Sequence, residues 1–381
     1  MIERFSISAT GNLRFGEGTF TELAPLLLQR GFERIAFVVS TTFSLTKLFA
    51  DCLQTLDQVA VTVLPVSGEP SVDSVDAATQ IVKEANCDVI VGIGGGSALD
   101  TAKAVAVMAT QKEGLSVKRF LEGVGDMAPP AERLPLYAVP TTAGTGSEAT
   151  KNAVISQIGS NGFKKSLRHD AYIPDMVIID PSLALAVPFS VTAASGLDAL
   201  TQLLEAYTSV RANPFIDALA LPAIGLAGNA LPGLLTDKSD SIELRADMAY
   251  AAYISGIAIA NAGLGYVHGL AGPLGALHSV PHGLVCGSLI TPINKAMLKR
   301  AESGSIYAGK MQRVAKLWHV GTLEGVIQHL ENLNRLAKLP SLGSFGFSLH
   351  EIEEIGAKDL KRDAPVILDS KTVTHILQSL L

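Results

Sequence analysis

Short apolar runs rich in β-branched residues alternate with amphipathic stretches through the first half of the chain. Residues 71–86 repeat apolar positions at helical spacing, and Ser71 and Asp73 are placed to cap that helix. Strands that alternate with helices are typical of a parallel sheet covered by helices. The apolar runs predict strands at 34–40, 59–66, 88–93, 134–139 and 176–179.

The pattern changes beyond Pro181, where long Ala- and Leu-rich stretches predict helices at 191–210, 213–231 and 242–262. Pro181 and Pro188 flank this change, and proline ends regular elements. The 381 residues exceed the usual size of a single hydrophobic core. We therefore predict an α/β parallel-sheet domain at 1–182 and an all-helical domain at 183–381.

The charge balance argues against a nucleic-acid partner. The formal net charge is −6, the isoelectric point is about 5.8, and no block of basic residues occurs. Three separate cysteines, Cys52, Cys87 and Cys286, form no CxxC pair and are expected to be small, buried, reduced side chains. The first residues lack the basic and apolar regions of a secretory signal. These features predict a cytoplasmic protein that binds small molecules.

The stretch 248–277 is apolar enough to require a decision between a membrane span and a buried helix. Asn261, His268 and several glycines interrupt it. A lipid-facing helix needs roughly 20 predominantly apolar residues, whereas a helix in a large core tolerates such interruptions. We interpret the stretch as part of the core and expect no membrane association.

Two glycine-rich loops follow predicted strands. Residues 91–103 run from a strand through Gly94, Gly95 and Gly96 into a helix, and residues 140–148 concentrate threonines and glycines. Glycines let backbone N–H groups approach a phosphate, and a helix N-terminus favours an anion. Either loop alone is also compatible with a tight turn that binds nothing. Together, at strand ends, they indicate a dinucleotide site.

Two histidines fourteen positions apart, His268 and His282, lie among small residues, and Asp198 precedes them. Two imidazoles and one carboxylate that leave room for a substrate oxygen form the ligand set of a catalytic divalent metal. The alternative for either histidine is a buried ring whose hydrogen bonds are satisfied by backbone.

The ordered motifs GGGSALDTAK, PTTAGTGSE, IPD, DP, DAL and PHG resemble those of the iron-containing alcohol dehydrogenase family over nearly the full length. The resemblance implies a Rossmann-like N-terminal domain and a helical C-terminal domain, as in the dehydroquinate synthase-like fold. It also implies a cofactor and a metal in the cleft between the domains, and a homo-oligomer.

Matching positions imply metal ligands at Asp198, His268 and His282. The positions of Asn152 and Lys165 depend on an alignment across a variable loop, and the alternative for Lys165 is a solvated charge beside Lys164. The resemblance implies cofactor contacts at Gly95, Gly96, Ser97, Asp100, Thr141, Thr142, Thr145, Asn152 and Lys165, and the end of the second strand adds Ser40 as a candidate.

Two positions depart from the family pattern. Gln202 stands where the family has a ligating histidine, and Gly272 stands where it has a second histidine often assigned to proton transfer. Gln202 or water is expected to fill the fourth metal position, and a neutral carbonyl donor is weaker than imidazole. His278 is a candidate for the missing proton relay, beside the catalytic candidate His268. A pocket-lining or structural role is the alternative for His278.

Ser40 ends the predicted strand 34–40, where a carboxylate would bind the ribose of NAD and repel the 2′-phosphate of NADP. Lys47 is the nearest downstream cation. Both cofactors therefore remain open.

The expected activity is reversible hydride transfer between NAD or NADP and a small alcohol or aldehyde at a divalent iron or zinc ion. Three alternatives remain: a metal-free reductase that positions the carbonyl through Gln202 and His268, a lyase resembling dehydroquinate synthase, and an inactive nucleotide-binding subunit.

Overall fold

The computed structural model describes residues 4–8, 10–159 and 162–381. Residues 1–3 lie outside this part. The prediction that the first residues lack a secretory signal includes them. The strands are Asn12–Phe15 (β1), Arg34–Ser40 (β2), Ala60–Val66 (β3), Val89–Gly94 (β4), Leu136–Pro140 (β5), Asn152–Gln157 (β6), Phe163–Arg168 (β7) and Met176–Ile179 (β8).

Helices flank the sheet in the first part of the chain and make up nearly all of the rest. They are Leu23–Gln29 (α1), Thr41–Ser44 (α2), Lys47–Thr55 (α3), Val72–Glu84 (α4), Gly96–Met108 (α5), Phe189–Thr208 (α6), Pro214–Leu234 (α7), Ile242–Ala262 (α8), Tyr266–Leu277 (α9), His282–Arg300 (α10), Ile306–Leu317 (α11), Leu323–Ala337 (α12), Leu349–Gly356 (α13) and Ser370–Gln378 (α14).

Six strands form a parallel sheet in the order β1-β8-β5-β4-β2-β3. The five predicted strands are confirmed to within two residues at each end. The chain passes from β2 to β3 at one edge of the sheet and then crosses back to β4 on the other side of β2. The direction in which strands are added therefore reverses between β2 and β4. Ligands of open parallel sheets bind in the crevice at such a reversal, outside the carboxyl ends of the strands. Both glycine-rich loops leave the sheet at this edge.

Sequence patterning missed three strands. β1 is an edge strand whose four residues are all exposed, so it shows no buried apolar face. The antiparallel pair β6 and β7 forms a separate two-stranded sheet. β7 carries three basic residues among six, which conceals its alternation.

The helical part has its own core, in which α6 is buried along most of its length. The predicted helices 191–210, 213–231 and 242–262 correspond to α6, α7 and α8. The sheet ends at Ile179 and α6 begins at Phe189, while the division of the chain at residue 182 remains a prediction.

Two helical segments have the length and apolar composition of a membrane span: α7, and α8 together with α9, which bend by 98° relative to each other. Half of the most apolar window of α7 is buried inside the structure. Residues of all three helices contribute to the largest hydrophobic cluster. We therefore interpret them as core helices.

The start of α4 depends on a capping box. The Ser71 hydroxyl accepts a hydrogen bond from the Ser74 backbone N–H at 3.1 Å, and the Ser74 hydroxyl accepts one from the Ser71 N–H at 2.9 Å. Asp73 lies in the first turn, where its charge favours the positive end of the helix. The predicted cap at Ser71 is therefore confirmed.

Replacing Ser71 by alanine removes an N-cap acceptor and leaves a helix N–H unpaired, so we expect the free energy of unfolding to fall by about 1 kcal/mol. Denaturant unfolding followed by circular dichroism measures this loss. Ser303→Ala, at an exposed loop residue, is the matched control. Equal unfolding midpoints for the two variants would contradict the capping assignment.

Candidate active site

One large cleft runs from the carboxyl edge of the sheet to the helical part. It brings together all the predicted site residues except His278. The predicted residues that line it are Ser40, Gly95, Gly96, Ser97, Asp100, Thr141, Thr142, Thr145, Asn152, Lys165, Asp198, Gln202, His268 and His282.

The two glycine-rich loops pack against each other at the start of α5. A Cβ atom at Gly96 would lie 2.6 Å from Thr145 Cγ2, so only glycine permits this approach. Thr141 N–H donates to the Gly94 carbonyl at 2.9 Å and ties the second loop to the end of β4. The amino end of α5 therefore opens into the cleft with backbone N–H groups that suit a pyrophosphate.

Asp100, predicted as a cofactor contact, lines the cleft, and its carboxylate is hydrogen-bonded to the neighbouring loop and strand. One carboxylate oxygen accepts from the Ser147 hydroxyl at 2.6 Å and the other from the Val154 N–H at 2.9 Å. Lys103, one turn later, is buried and donates to the Thr150 hydroxyl at 2.8 Å and to the Asn152 carbonyl at 2.9 Å. Burial lowers the pKa of Lys103 to about 8. These bonds fix the loop 140–148 and β6 to α5.

The neighbouring lysines differ in their surroundings. Lys164 has a side chain only 9% exposed and forms an ion pair with Glu69, which also accepts from the Ser156 hydroxyl at 2.8 Å. Lys165, predicted as the cofactor contact, is exposed. Both lysines line the cleft, but Lys164 is the one whose side chain is largely buried and held in an ion pair.

Asp198 on α6, His268 on α9 and His282 at the start of α10 meet at the helical wall of the cleft. Asp198 Oδ1 lies 3.3 Å from His268 Nε2 and 3.9 Å from His282 Nε2. Gly283 makes this approach possible, because a Cβ there would lie 2.3 Å from the Ala194 carbonyl oxygen of α6. The first turn of α10 thus rests directly on the backbone of α6.

The donor atoms fit a divalent metal. Asp198 is 1% exposed, yet its Oδ1 accepts no well-formed hydrogen bond from any residue the structure describes. A buried carboxylate oxygen is stable only with a compensating partner. Tetrahedral ligands at metal distances near 2.0–2.2 Å lie roughly 3.3–3.6 Å apart, close to the separations observed here. Burial lowers the pKa of His282 to about 4, so its ring is neutral and can bind a metal.

Glu205, two turns after Asp198 on α6, orients His268. Its Oε2 lies 2.7 Å from His268 Nδ1, and its Oε1 accepts from the Val267 N–H at 2.6 Å. Burial alone would lower the pKa of His268, but the acidic groups of Cys286, Asp198 and Glu205 hold it well above its ordinary value. A carboxylate behind a ligating histidine fixes the ring and raises its basicity.

Of the two expected occupants of the fourth metal position, Gln202 or water, the structure does not place the Gln202 carbonyl oxygen there. Its amide nitrogen donates to Asp198 Oδ2 at 3.1 Å, and its oxygen accepts from the Ser255 hydroxyl at 2.6 Å. If the Gln202 amide were flipped, its oxygen would lie beside Asp198 Oδ2. Electrostatic repulsion between the two oxygens disfavours that orientation. Gln202 therefore positions Asp198, with its own oxygen turned away.

His278 lies apart from this cluster. Its Nε2 is 3.2 Å from a Glu351 oxygen, and its ring centroid is 4.4 Å from that of Phe347. The structure does not bring His278 to the proton-relay position considered for it.

Sequence reasoning missed Cys286 and Glu205. The Cys286 Sγ belongs to a group with the ligand atoms of Asp198, His268 and His282, all within 4.8 Å of one another. Both missed residues have a helical signal, since Cys286 follows His282 by four positions and Glu205 follows Asp198 by seven.

The chain matches two family models. The model described as iron-containing alcohol dehydrogenase matches residues 10–181, and the model of the C-terminal part of the Fe-containing alcohol dehydrogenase family matches residues 192–380.

Curated relatives and solved structures agree with these models. Alcohol dehydrogenase 4 of Saccharomyces cerevisiae is 34% identical over 380 residues, covering 96% of this chain and 95% of the relative. The NAD-dependent methanol dehydrogenase of Bacillus methanolicus is 32% identical over 332 residues, covering 86% and 85%. The sulfoacetaldehyde reductase from Bifidobacterium kashiwanohense in complex with NAD+ is 25% identical with a TM-score of 0.88, covering 100% and 99%.

The parallel sheet, the helical part and the relatives define an oxidoreductase of the dehydrogenase class. Within that class, the chain belongs to the iron-containing alcohol dehydrogenase family. The resemblance and the fold inferred from the sequence motifs are thereby confirmed.

Because Glu205 orients His268, we expect Glu205→Gln to weaken zinc binding by about 10-fold to 100-fold. Competition with a chromophoric chelator measures the dissociation constant. Glu351→Gln removes the carboxylate beside His278, outside the cluster, and should leave zinc affinity unchanged. Unaltered affinity in Glu205→Gln would show that the ring is held without this carboxylate.

Proposed function

We propose that this enzyme catalyses reversible hydride transfer between a nicotinamide dinucleotide and a small alcohol or aldehyde, with zinc or iron held by Asp198, His268 and His282. The observation that carries this proposal is Asp198 Oδ1, a buried oxygen that accepts no well-formed hydrogen bond from the described residues and faces two imidazoles in the same cleft as the two glycine-rich loops. When bound, the metal polarises the carbonyl oxygen of the substrate, and the nicotinamide donates or accepts the hydride.

The residues of the chain have separate tasks in this proposal. The amino end of α5, at Gly96 and Ser97, binds the pyrophosphate through backbone N–H groups and the helix dipole. Asp100 and Lys103 hold the loops that surround it. Glu205 and Gln202 keep His268 and Asp198 directed at one point, so no side chain must reorganise as charge develops on the substrate.

Protons move through solvent in the cleft. A Cβ at Gly272 would meet no heavy atom within 4 Å among the described residues, so this position opens onto free space. Gly272 lines the cleft, whereas His278 does not. We therefore assign proton delivery to water or to a ribose hydroxyl of the cofactor.

NAD is the proposed cofactor. Ser40 at the end of β2 offers a hydroxyl to the ribose, and Lys47, the nearest downstream cation, lies 2.7 and 2.8 Å from the two carboxylate oxygens of Asp51. Lys47 is not among the described residues that line the cleft, so it is not placed to pair with a 2′-phosphate there. NAD is also in the name of one relative and in the complex of one structural neighbour.

Asp198→Ala and His282→Ala should each abolish NADH-dependent turnover of a short aldehyde panel, because each removes a donor that the other residues do not replace. Asp170→Ala, at an exposed residue that pairs with Lys151, is the control and should keep wild-type turnover. Metal content and circular dichroism of each variant separate loss of metal from loss of fold.

Chelation of the wild-type enzyme should remove activity, and added zinc or iron should restore it. Activity that persists without metal would contradict this proposal and favour a metal-free reductase. Normal turnover in Asp198→Ala or His282→Ala would contradict it as well.

Ser40→Asp should raise the preference for NAD over NADP, expressed as the ratio of kcat/KM values, by about tenfold or more, since a carboxylate repels the 2′-phosphate. Ser303→Asp adds the same charge at a residue outside the cleft and should leave the ratio unchanged. An unchanged ratio in Ser40→Asp would place the adenosine ribose elsewhere.

A further inference from the structure

Cys286 lies at the metal cluster and is completely buried. It follows His282 by one turn of α10, so both side chains project from the same face of the helix. Its Sγ is 3.7 Å from His268 Nε2 and 3.7 Å from His282 Nε2. Among the described residues, the polar contacts of both Nε2 atoms are all with other members of the cluster.

These separations match a tetrahedral site. With metal–nitrogen distances near 2.05 Å and metal–sulfur distances near 2.3 Å, a tetrahedral angle places sulfur and nitrogen roughly 3.5 Å apart. Both sulfur–nitrogen distances agree with this value to within a few tenths of an ångström, and all four donor atoms lie within 4.8 Å of one another. One ion can therefore contact all four.

The other candidate for the fourth ligand is already engaged. The Gln202 oxygen accepts from Ser255, and its nitrogen faces Asp198 Oδ2, so it presents no lone pair to the cluster. Among the residues described, the group of potential ligand atoms at this point consists of Asp198, His268, His282 and Cys286.

We propose that Cys286 is the fourth protein ligand of the metal, as a thiolate, in place of the imidazole that Gln202 has replaced. This inference rests on the metal in the proposed function and specifies its ligand set. Binding transfers the thiol proton to solvent and forms the metal–sulfur bond. A soft thiolate donor favours zinc relative to iron. With four protein ligands in place, a substrate oxygen would reach the metal only as an additional ligand.

The test is the absorption spectrum of the enzyme loaded with cobalt(II), which replaces zinc and reports its ligands. We expect a thiolate-to-cobalt charge-transfer band in the near ultraviolet for the wild type. Cys286→Ser should lose this band and bind cobalt more weakly by about tenfold or more. Cys52→Ser removes a buried thiol in the core of the sheet domain and should keep the band.

Cys286→Asp supplies an oxygen donor in the same place, so it should hold cobalt without the band and show a lower ratio of zinc to iron affinity than the wild type. This variant, and the wild-type spectrum itself, keep the test decisive where Cys286→Ser does not fold.

Cobalt bound by the wild type without a charge-transfer band would overturn the role of Cys286 and leave the proposed function intact. A band that survives Cys286→Ser would overturn it equally. Failure of the folded wild type to bind either cobalt or zinc would overturn both this inference and the metal in the proposed function.

Discussion

The site depends on a carboxylate placed inside an apolar helical core. Burying a charge is costly unless it is paired, and Asp198 has only partial compensation from the protein, since Gln202 contacts one oxygen and two imidazoles approach the other. The surrounding residues are arranged around this requirement. Glu205 turns one imidazole toward the carboxylate, and the contact between α6 and α10 brings the second.

The sheet positions backbone groups at the site, whereas the helices position side chains. The parallel sheet supplies an edge where two loops converge, and backbone N–H groups act there with little dependence on side-chain identity. The helical part supplies side chains. The helices α6, α9 and α10 must keep their orientations for the ligand atoms to lie close together. The proposed hydride transfer needs both parts in register, because the glycine-rich loops belong to the sheet and the donor cluster belongs to the helices.

This difference explains which parts of the site could be predicted from the sequence. The loop at Gly96 and the histidine His282 belong to local motifs, so short-range patterns identified them. The orientation of Gln202 could not be predicted, because it depends on Ser255 on another helix. Cys286 looked like an ordinary buried thiol, since its four-residue spacing from His282 gains meaning only when Asp198 of α6 and His268 of α9 are brought beside it by the fold. β1 was missed because its alternating pattern extends over only four residues, too few to stand out from a loop.

The contact of Gly283 with the backbone of α6 has a consequence for the size of the proposed metal site. Two helices separated by less than the width of a methyl group cannot move closer, and the packed core around them resists their moving apart. The cage that they form is therefore of nearly fixed size. An ion such as calcium, with ligand distances of about 2.3–2.6 Å and a need for six or more oxygens, fits neither its dimensions nor its donors. In the proposed metal site, the missing side chain of Gly283 therefore helps to set the size of the space that the donor atoms enclose.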